Sequence, residues 1–137
     1  TYYGPNNAVL VIAGDVNTSE LAAAISDAGG AETLRVVDCL TLWLTQLLMP
    51  ADAEFEQNRA PALDWQAQAA IINVAIERCS GPVVLVGNEI GLGVMPLSAE
   101  ARAGLDALGL LHQDVAASCS RVTLMVAGCE LRVKDGR

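Results

Sequence analysis

The sequence predicts an α/β domain of three layers, with helices packed on a mostly parallel sheet. Three observations carry that reading. The apolar runs Ala8–Ala13 and Val83–Val86, and the segment Leu34–Asp38, have the length and β-branched content of strands, the two uninterrupted runs reading as buried strands. Stretches of helical composition separate them, giving the order strand, helix, strand, helix, helix, strand, helix, strand, strand. Finally, 137 residues that are 53% hydrophobic and 18% charged suffice for one sizeable core, are too few for two, and do not have a disordered composition. One domain over residues 1–137 is expected.

In chain order, Gly14-Asp15 ends the first strand, and Asn17-Thr18-Ser19-Glu20 opens a helix with Thr18 or Ser19 as its expected cap. Leu21-Ala22-Ala23-Ala24-Ile25 continues the helix until Gly29-Gly30 stops it. Leu34-Arg35-Val36-Val37-Asp38 is the second strand and closes on an acid. Thr41 is expected to cap a helix through Met49, which Pro50 and the acidic segment Ala51–Asn58 interrupt. Ala62–Cys79 is the next helix, with Leu63, Ala67, Ala70, Ile71, Val74 and Ile76 as its expected apolar stripe. Ser80-Gly81-Pro82 breaks it before the strand Val83–Val86. A glycine-rich loop, Asn88–Pro96, leads to a helix from about Ser98 to Ser118. Arg121–Ala127 and Cys129–Lys134 then read as two strands about Gly128, a hairpin or a bent edge. No internal repeat or low-complexity segment interrupts this order.

Composition excludes several functions. Sixteen Asp and Glu against eight Lys and Arg give a net charge of -8, which repels a phosphate backbone and disfavours nucleic-acid binding. A single histidine, His112, rules out a multi-histidine metal site and an HExxH zinc peptidase. Neither zinc nor haem is expected. Cys39, Cys79, Cys119 and Cys129 contain no CxxC pair and fit free thiols in a reducing cytoplasm. The chain does not open like a signal peptide, and no apolar run approaches the roughly 18 residues that span a bilayer. A cytoplasmic protein without a membrane span is therefore expected.

In parallel α/β sheets, ligands bind beyond the carboxyl ends of the strands, which singles out Gly14–Ser19, Asp38–Thr41 and Gly87–Gly93. The first has the strand–loop–helix outline of the phosphate-binding pattern GxxxxGK[ST]. Counting from Gly14, the second glycine falls on Ser19, the lysine on Glu20 and the hydroxyl residue on Leu21. A glutamate puts negative charge where phosphates need positive, and a leucine cannot hold magnesium, so the pattern fails. Asp38, closing an apolar strand, stands where a carboxylate binds Mg²⁺ directly or through water, or else caps a turn. Glu89 follows a strand at the mouth of the glycine-rich loop, beside the Asn88 amide, and Gly91 and Gly93 allow close backbone approach. The competing reading is a glycine-rich turn before a helix. His112, Trp43, Trp65 and the cysteines are assigned to surface or packing roles.

From about Glu20 to Lys134 the chain resembles the bifunctional adenosylcobinamide kinase / adenosylcobinamide-phosphate guanylyltransferases. The resemblance rests on Val36-Val37-Asp38-Cys39-Leu40-Thr41-Leu42-Trp43-Leu44-Thr45-Gln46-Leu47-Leu48, on Val83–Val86 with Gly87-Asn88-Glu89-Ile90-Gly91-Leu92-Gly93-Val94-Met95-Pro96, and on Gly109–Ala117 followed by Val122–Val133. It implies a P-loop-type α/β nucleotide-binding domain that uses GTP or ATP with Mg²⁺. Such a domain phosphorylates adenosylcobinamide, then transfers GMP to that phosphate through a guanylylated histidine. Asp38 matches the strand-end acid that contacts nucleotide or magnesium. Asn88 and Glu89 match the family's loop pair as nucleotide contacts, Glu89 also being the candidate catalytic residue. A corrinoid substrate and a homo-oligomer are implied as partners. Residues 1–19 supply neither the family's Walker A loop nor its acceptor histidine, so impaired catalysis is expected. The alternative is a non-catalytic remnant or fusion that binds nucleotide or corrinoid weakly, or only self-associates. Separately, Tyr2–Val16 resembles a non-catalytic strand segment of pitrilysin-type zinc peptidases. A strand from that source could occupy the sheet position of the lost P-loop strand.

Overall fold

The computed structural model describes residues 10–12, 16–27, 29–49 and 64–136. The acidic segment Ala51–Asn58, Leu63 and the residues Ala8, Val9 and Ala13–Asp15 lie outside them. Within the described residues the chain is a mixed α/β structure: β1 (Leu10–Ile12), α1 (Thr18–Asp27), β2 (Arg35–Asp38), α2 (Leu40–Leu48), α3 (Trp65–Arg78), β3 (Val83–Val86), α4 (Ala99–Ser118), β4 (Arg121–Val126) and β5 (Cys129–Asp135). No helix among them is long and apolar enough to cross a membrane.

The first three strands form one parallel sheet in the order β1-β2-β3. Leu10 pairs with Arg35, and Asp38 pairs with Val86. The strand in the atypical amino-terminal segment therefore lies in the same sheet as Val36–Asp38 and Val83–Val86. The last two strands are an antiparallel hairpin forming a separate sheet. Its two-residue turn, Ala127 and Gly128, has φ of 51° and 79°, the left-handed pair that suits the twist of a hairpin. The hairpin is fastened to the end of α4 by Lys134, whose Nζ donates to the carbonyls of Ala116 (2.8 Å) and Ala117 (3.2 Å). A cation on the last carbonyls of a helix also complements its dipole.

A single buried cluster joins the elements. Leu21 and Ile25 of α1, Val37 of β2, Leu40, Trp43 and Leu44 of α2, Ala69, Ile72 and Ala75 of α3, and Ala107, Leu108, Leu111 and Val115 of α4 form it. Beneath the sheet, at the amino end of β2, Arg35 is only 2% exposed. Its guanidinium donates to Thr33 O and Gly29 O, each at 3.2 Å. The two Nη groups of this buried cation thus find carbonyls in the turn after α1, while its Nε has no hydrogen-bond partner among the described residues.

Four local expectations need correction. The cap of α1 is Asn17, not Thr18 or Ser19: Asn17 Oδ1 accepts from Glu20 N at 2.9 Å, and Glu20 Oε2 accepts from Asn17 N at 3.3 Å, a reciprocal capping box. The cap of α2 is Cys39, whose Sγ accepts from Leu42 N at 3.4 Å, so Thr41 lies inside the helix and its hydroxyl is released for another partner. On α3 the buried face is Ala69, Ile72 and Ala75, whereas Ala67, Ala70, Ile71 and Val74 are exposed. Both sets have helical spacing; the small alanines win because α3 packs against α1 along that face. Finally, β3 is not buried on both faces. Val83 and Leu85 pack on the core, while Val84 and Val86 stay 46% and 38% exposed, so only one face of β3 is covered among the described residues.

Candidate functional site

Parallel pairing sets the geometry of the carboxyl edge. Asp38 ends β2 directly beside Val86, the last residue of β3, so Asp38 and the Asn88-Glu89 pair emerge from neighbouring strands at the same end of the sheet. Asp38 is exposed and forms no ion pair among the described residues. An exposed carboxylate at a strand end is free to take a ligand.

The loop after β3 is held at its start. Gly87 lies against the His112 ring of α4: a Cβ built on Gly87 would come 2.5 Å from Nε2, so only glycine admits the imidazole there. Asn88 N donates to Thr41 Oγ1 at 2.8 Å, a contact across 47 residues that ties the loop to the first turn of α2. Glu89 turns back on its own loop, with Oε1 accepting from Gly91 N at 2.7 Å. Its second oxygen, Oε2, faces His112 Nδ1 at 4.0 Å, within ion-pair reach and short of a direct hydrogen bond. The far end of the loop is closed by Arg102, whose Nη1 donates to Pro96 O (3.0 Å) and Leu97 O (2.7 Å).

Beside this edge, between α2 and the first half of α4, lies a half-open cleft of about 290 Å³. Leu44, Leu48, Leu105 and Leu108 make its wall, with Thr41, Ser98 and Glu100 among the polar groups at its rim. It adjoins the strand-end residues through Thr41, which belongs to both.

Asp38, Asn88 and Glu89, the residues singled out in the sequence, therefore share one sheet edge. Thr41 and His112, assigned there to a cap and to packing, face the same loop. No sequence signal links either to it, since both contacts bridge elements far apart in the chain. Glu20, at the lysine position of the failed phosphate-loop pattern, has its carboxylate engaged in the α1 cap. Trp43 is buried, as a core anchor should be. All four cysteines are free thiols. Among the described residues no three His, Cys, Asp or Glu side chains converge to hold a metal.

Comparison with known proteins adds the family context. A family model described as cobinamide kinase / cobinamide phosphate guanyltransferase matches residues 15–133. Over 114 residues the chain is 40% identical to the bifunctional adenosylcobalamin biosynthesis protein CobP of Pseudomonas aeruginosa, covering 83% of this chain and 61% of that protein. It is 33% identical over 106 residues to the bifunctional adenosylcobalamin biosynthesis protein CobU of Escherichia coli, covering 72% of this chain and 57% of that one. The CobU protein of Salmonella typhimurium is similar at 32% over 105 residues, with the same 72% and 57% coverage. The chain thus spans about three fifths of the length of the curated relatives it matches.

Proposed function

The chain belongs to the cobinamide kinase / cobinamide phosphate guanyltransferase family, and from that premise we propose that it serves cobalamin biosynthesis through a nucleotide site at the carboxyl edge of β2 and β3. The observation that supports this reading is the convergence of Asp38 with Asn88 and Glu89 at the ends of adjacent parallel strands, the position where such sheets bind ligands. The reactions are those of the family: phosphorylation of adenosylcobinamide with GTP or ATP, and transfer of GMP to adenosylcobinamide phosphate. The same premise suggests a P-loop-type three-layer architecture, a corrinoid substrate, homo-oligomerisation and a cytoplasmic location.

The donor set suits Mg²⁺ rather than a softer ion. An exposed carboxylate at a strand end, with no cluster of His or Cys beside it, matches an ion that keeps several waters and takes one or two carboxylates plus phosphate oxygens. Asp38 would hold it. When bound with a nucleotide, Mg²⁺ neutralises phosphate charge. The protein's own contribution is positional. Asn88, anchored through its N–H to Thr41, offers its side-chain amide to polar atoms of the nucleotide. Glu89, fixed on Gly91 N–H, sets the turn of the loop and keeps a carboxylate near the incoming hydroxyl of the corrinoid arm, as a proton acceptor. Phosphoryl transfer depends mainly on such positioning and on cancelling charge.

These 137 residues contain no GxxxxGK[ST] segment, and His112 is their one histidine. We therefore expect this chain by itself to bind nucleotide and to transfer phosphoryl or guanylyl groups orders of magnitude more slowly than a family member that has both elements. Calorimetric titration with GTP–Mg²⁺ tests the site: binding in the micromolar range that Asp38→Ala abolishes supports it. Absence of binding, or binding unchanged by Asp38→Ala, refutes it in favour of a remnant without a nucleotide site. Transfer of labelled GMP to the chain or to cobinamide phosphate, at the rate of a complete family member, refutes the impairment.

A further inference from the structure

We infer that His112 is a positioning residue: it holds Glu89, and through Glu89 the 87–91 loop, in the orientation that the carboxyl-edge site requires. Three observations on different elements meet at its ring. Nδ1 faces Glu89 Oε2 at 4.0 Å. Nε2 is buried and has no hydrogen-bond partner among the described residues. The ring edge carrying Nε2 rests against Gly87 so closely that a Cβ there would lie 2.5 Å away.

Together these choose the tautomer. A proton on Nε2 would be a buried donor without an acceptor among the described residues, an unfavourable state. A proton on Nδ1 points towards a carboxylate. The neutral ring therefore carries its proton on Nδ1, and its Nε2 lone pair is turned inward against Gly87.

Glu89 is then held from two directions, Oε1 by Gly91 N–H at 2.7 Å and Oε2 from the side of His112. Asn88 N–H is held independently by Thr41. The loop is thus clamped between α2 and α4, with Asn88 and Glu89 presented between the clamps. The helix that bears His112 is rooted in the core by Leu108, Leu111 and Val115, so the backbone from which the ring projects is fixed. The imidazole transmits the rigidity of that core to a loop otherwise exposed to solvent.

The functional half of this inference rests on the nucleotide reading above; the structural half does not, and the two are separable. The chain has one histidine, so its imidazole gives a single pair of ring-nitrogen signals in a long-range nitrogen–proton NMR spectrum. The expected result is the Nδ1–H tautomer in the wild type, with the Nδ1 signal shifting in Glu89→Gln as the carboxylate charge facing it is removed. A wild-type ring in the Nε2–H form, or ring-nitrogen signals indifferent to Glu89→Gln, overturns the coupling whether or not nucleotide binds. The second arm is GTP–Mg²⁺ affinity. His112→Ala should weaken it roughly two- to fivefold, the value of one partly exposed charge contact. His112→Asn, which keeps an N–H donor at the Nδ1 position, should recover most of the affinity. Equal losses in the two variants, with both folded by circular dichroism, reduce His112 to a packing residue. If the wild type binds no GTP–Mg²⁺, the nucleotide reading fails while the NMR result still decides the tautomer and the Glu89 contact.

Discussion

Replacing Gly81 by alanine is expected to destabilise the fold by about 2–3 kcal/mol, which is a substantial share of the roughly 5–15 kcal/mol available to a domain. A Cβ at Gly81 would lie 2.8 Å from Arg35 Nη1, 2.9 Å from Gly30 O and 2.9 Å from Thr33 O. Two of those atoms are backbone carbonyls and the third belongs to a fully buried side chain, so no flexible tip can swing aside. Relief requires the 29–34 turn to move by a few tenths of an ångström, and that movement works against the Arg35–Thr33 hydrogen bond at 3.2 Å. Overpacking costs about 1–3 kcal/mol, and weakening a hydrogen bond to a charged group adds up to about 1.5 kcal/mol. The entropy that alanine removes from the unfolded chain returns about 0.4–1 kcal/mol. Gly104→Ala supplies the opposite sign. It sits inside α4 with nothing within 4 Å of a built Cβ, so it should gain up to about 1 kcal/mol from helix propensity. Urea denaturation followed by circular dichroism reads both. A Gly81→Ala protein as stable as the wild type, or a Gly104→Ala protein destabilised by as much as 1 kcal/mol, would refute the packing argument.

Cys119 and Cys129 should differ in reactivity. Burial raises the Cys119 thiol above its ordinary 9.0, with Lys134 only partly opposing it, whereas Cys129 is exposed; a disulfide reagent at pH 8 should label Cys129 first and Cys119 slowly. Because the folded-state value is the raised one, the protonated thiol's contribution to stability is fully present below pH 9.0 and is lost as pH rises through the folded value. Cys119→Ala should flatten that alkaline loss, as seen in melting curves between neutral and alkaline pH. Thr41→Val keeps the shape of the side chain and removes the acceptor of Asn88 N–H, so the Asn88 amide should exchange with solvent several-fold faster while the melting temperature moves little, the net value of an exposed hydrogen bond being about 1 kcal/mol. Unchanged exchange would show that the loop does not depend on α2.

The order of elements was legible because each carries local signals. Ser98 caps α4 as its sequence suggests, and Gly29 ends α1 with φ of 77°. The errors lie where two local solutions were equivalent. Asn17, Thr18 and Ser19 are all good caps, and the choice fell to Asn17 because Glu20 stands three residues on and completes the reciprocal pair. On α3, one apolar stripe at helical spacing runs through Ala69, Ile72 and Ala75 and another through Ala67, Ile71 and Val74. Only the neighbouring helix decides between them. Asp38, Asn88 and Glu89 could be singled out because strand ends are visible in a sequence. That His112 faces Glu89 was not visible, since the contact depends on how α4 lies across the end of β3.

The two ends of the sheet are built for different purposes, and this bears on the site. At the amino end of β2 the chain closes tightly: Arg35 is buried, Gly81 has no room for a methyl group, and the 29–34 turn wraps the guanidinium. At the carboxyl end Asp38, Asn88 and Glu89 are exposed, and the polar contacts made there by the Asn88 and Glu89 groups serve to hold a loop rather than to fill a core. Substitutions at the tight end should therefore lower stability while leaving the affinity of the folded fraction unchanged. Substitutions of Thr41, Glu89 or His112 should alter the loop at nearly constant stability. A site assembled on the open end can be weakened one anchor at a time, because α2 and α4 hold the loop through separate contacts, and each is rooted in the shared core by Leu44 on one helix and Leu111 on the other.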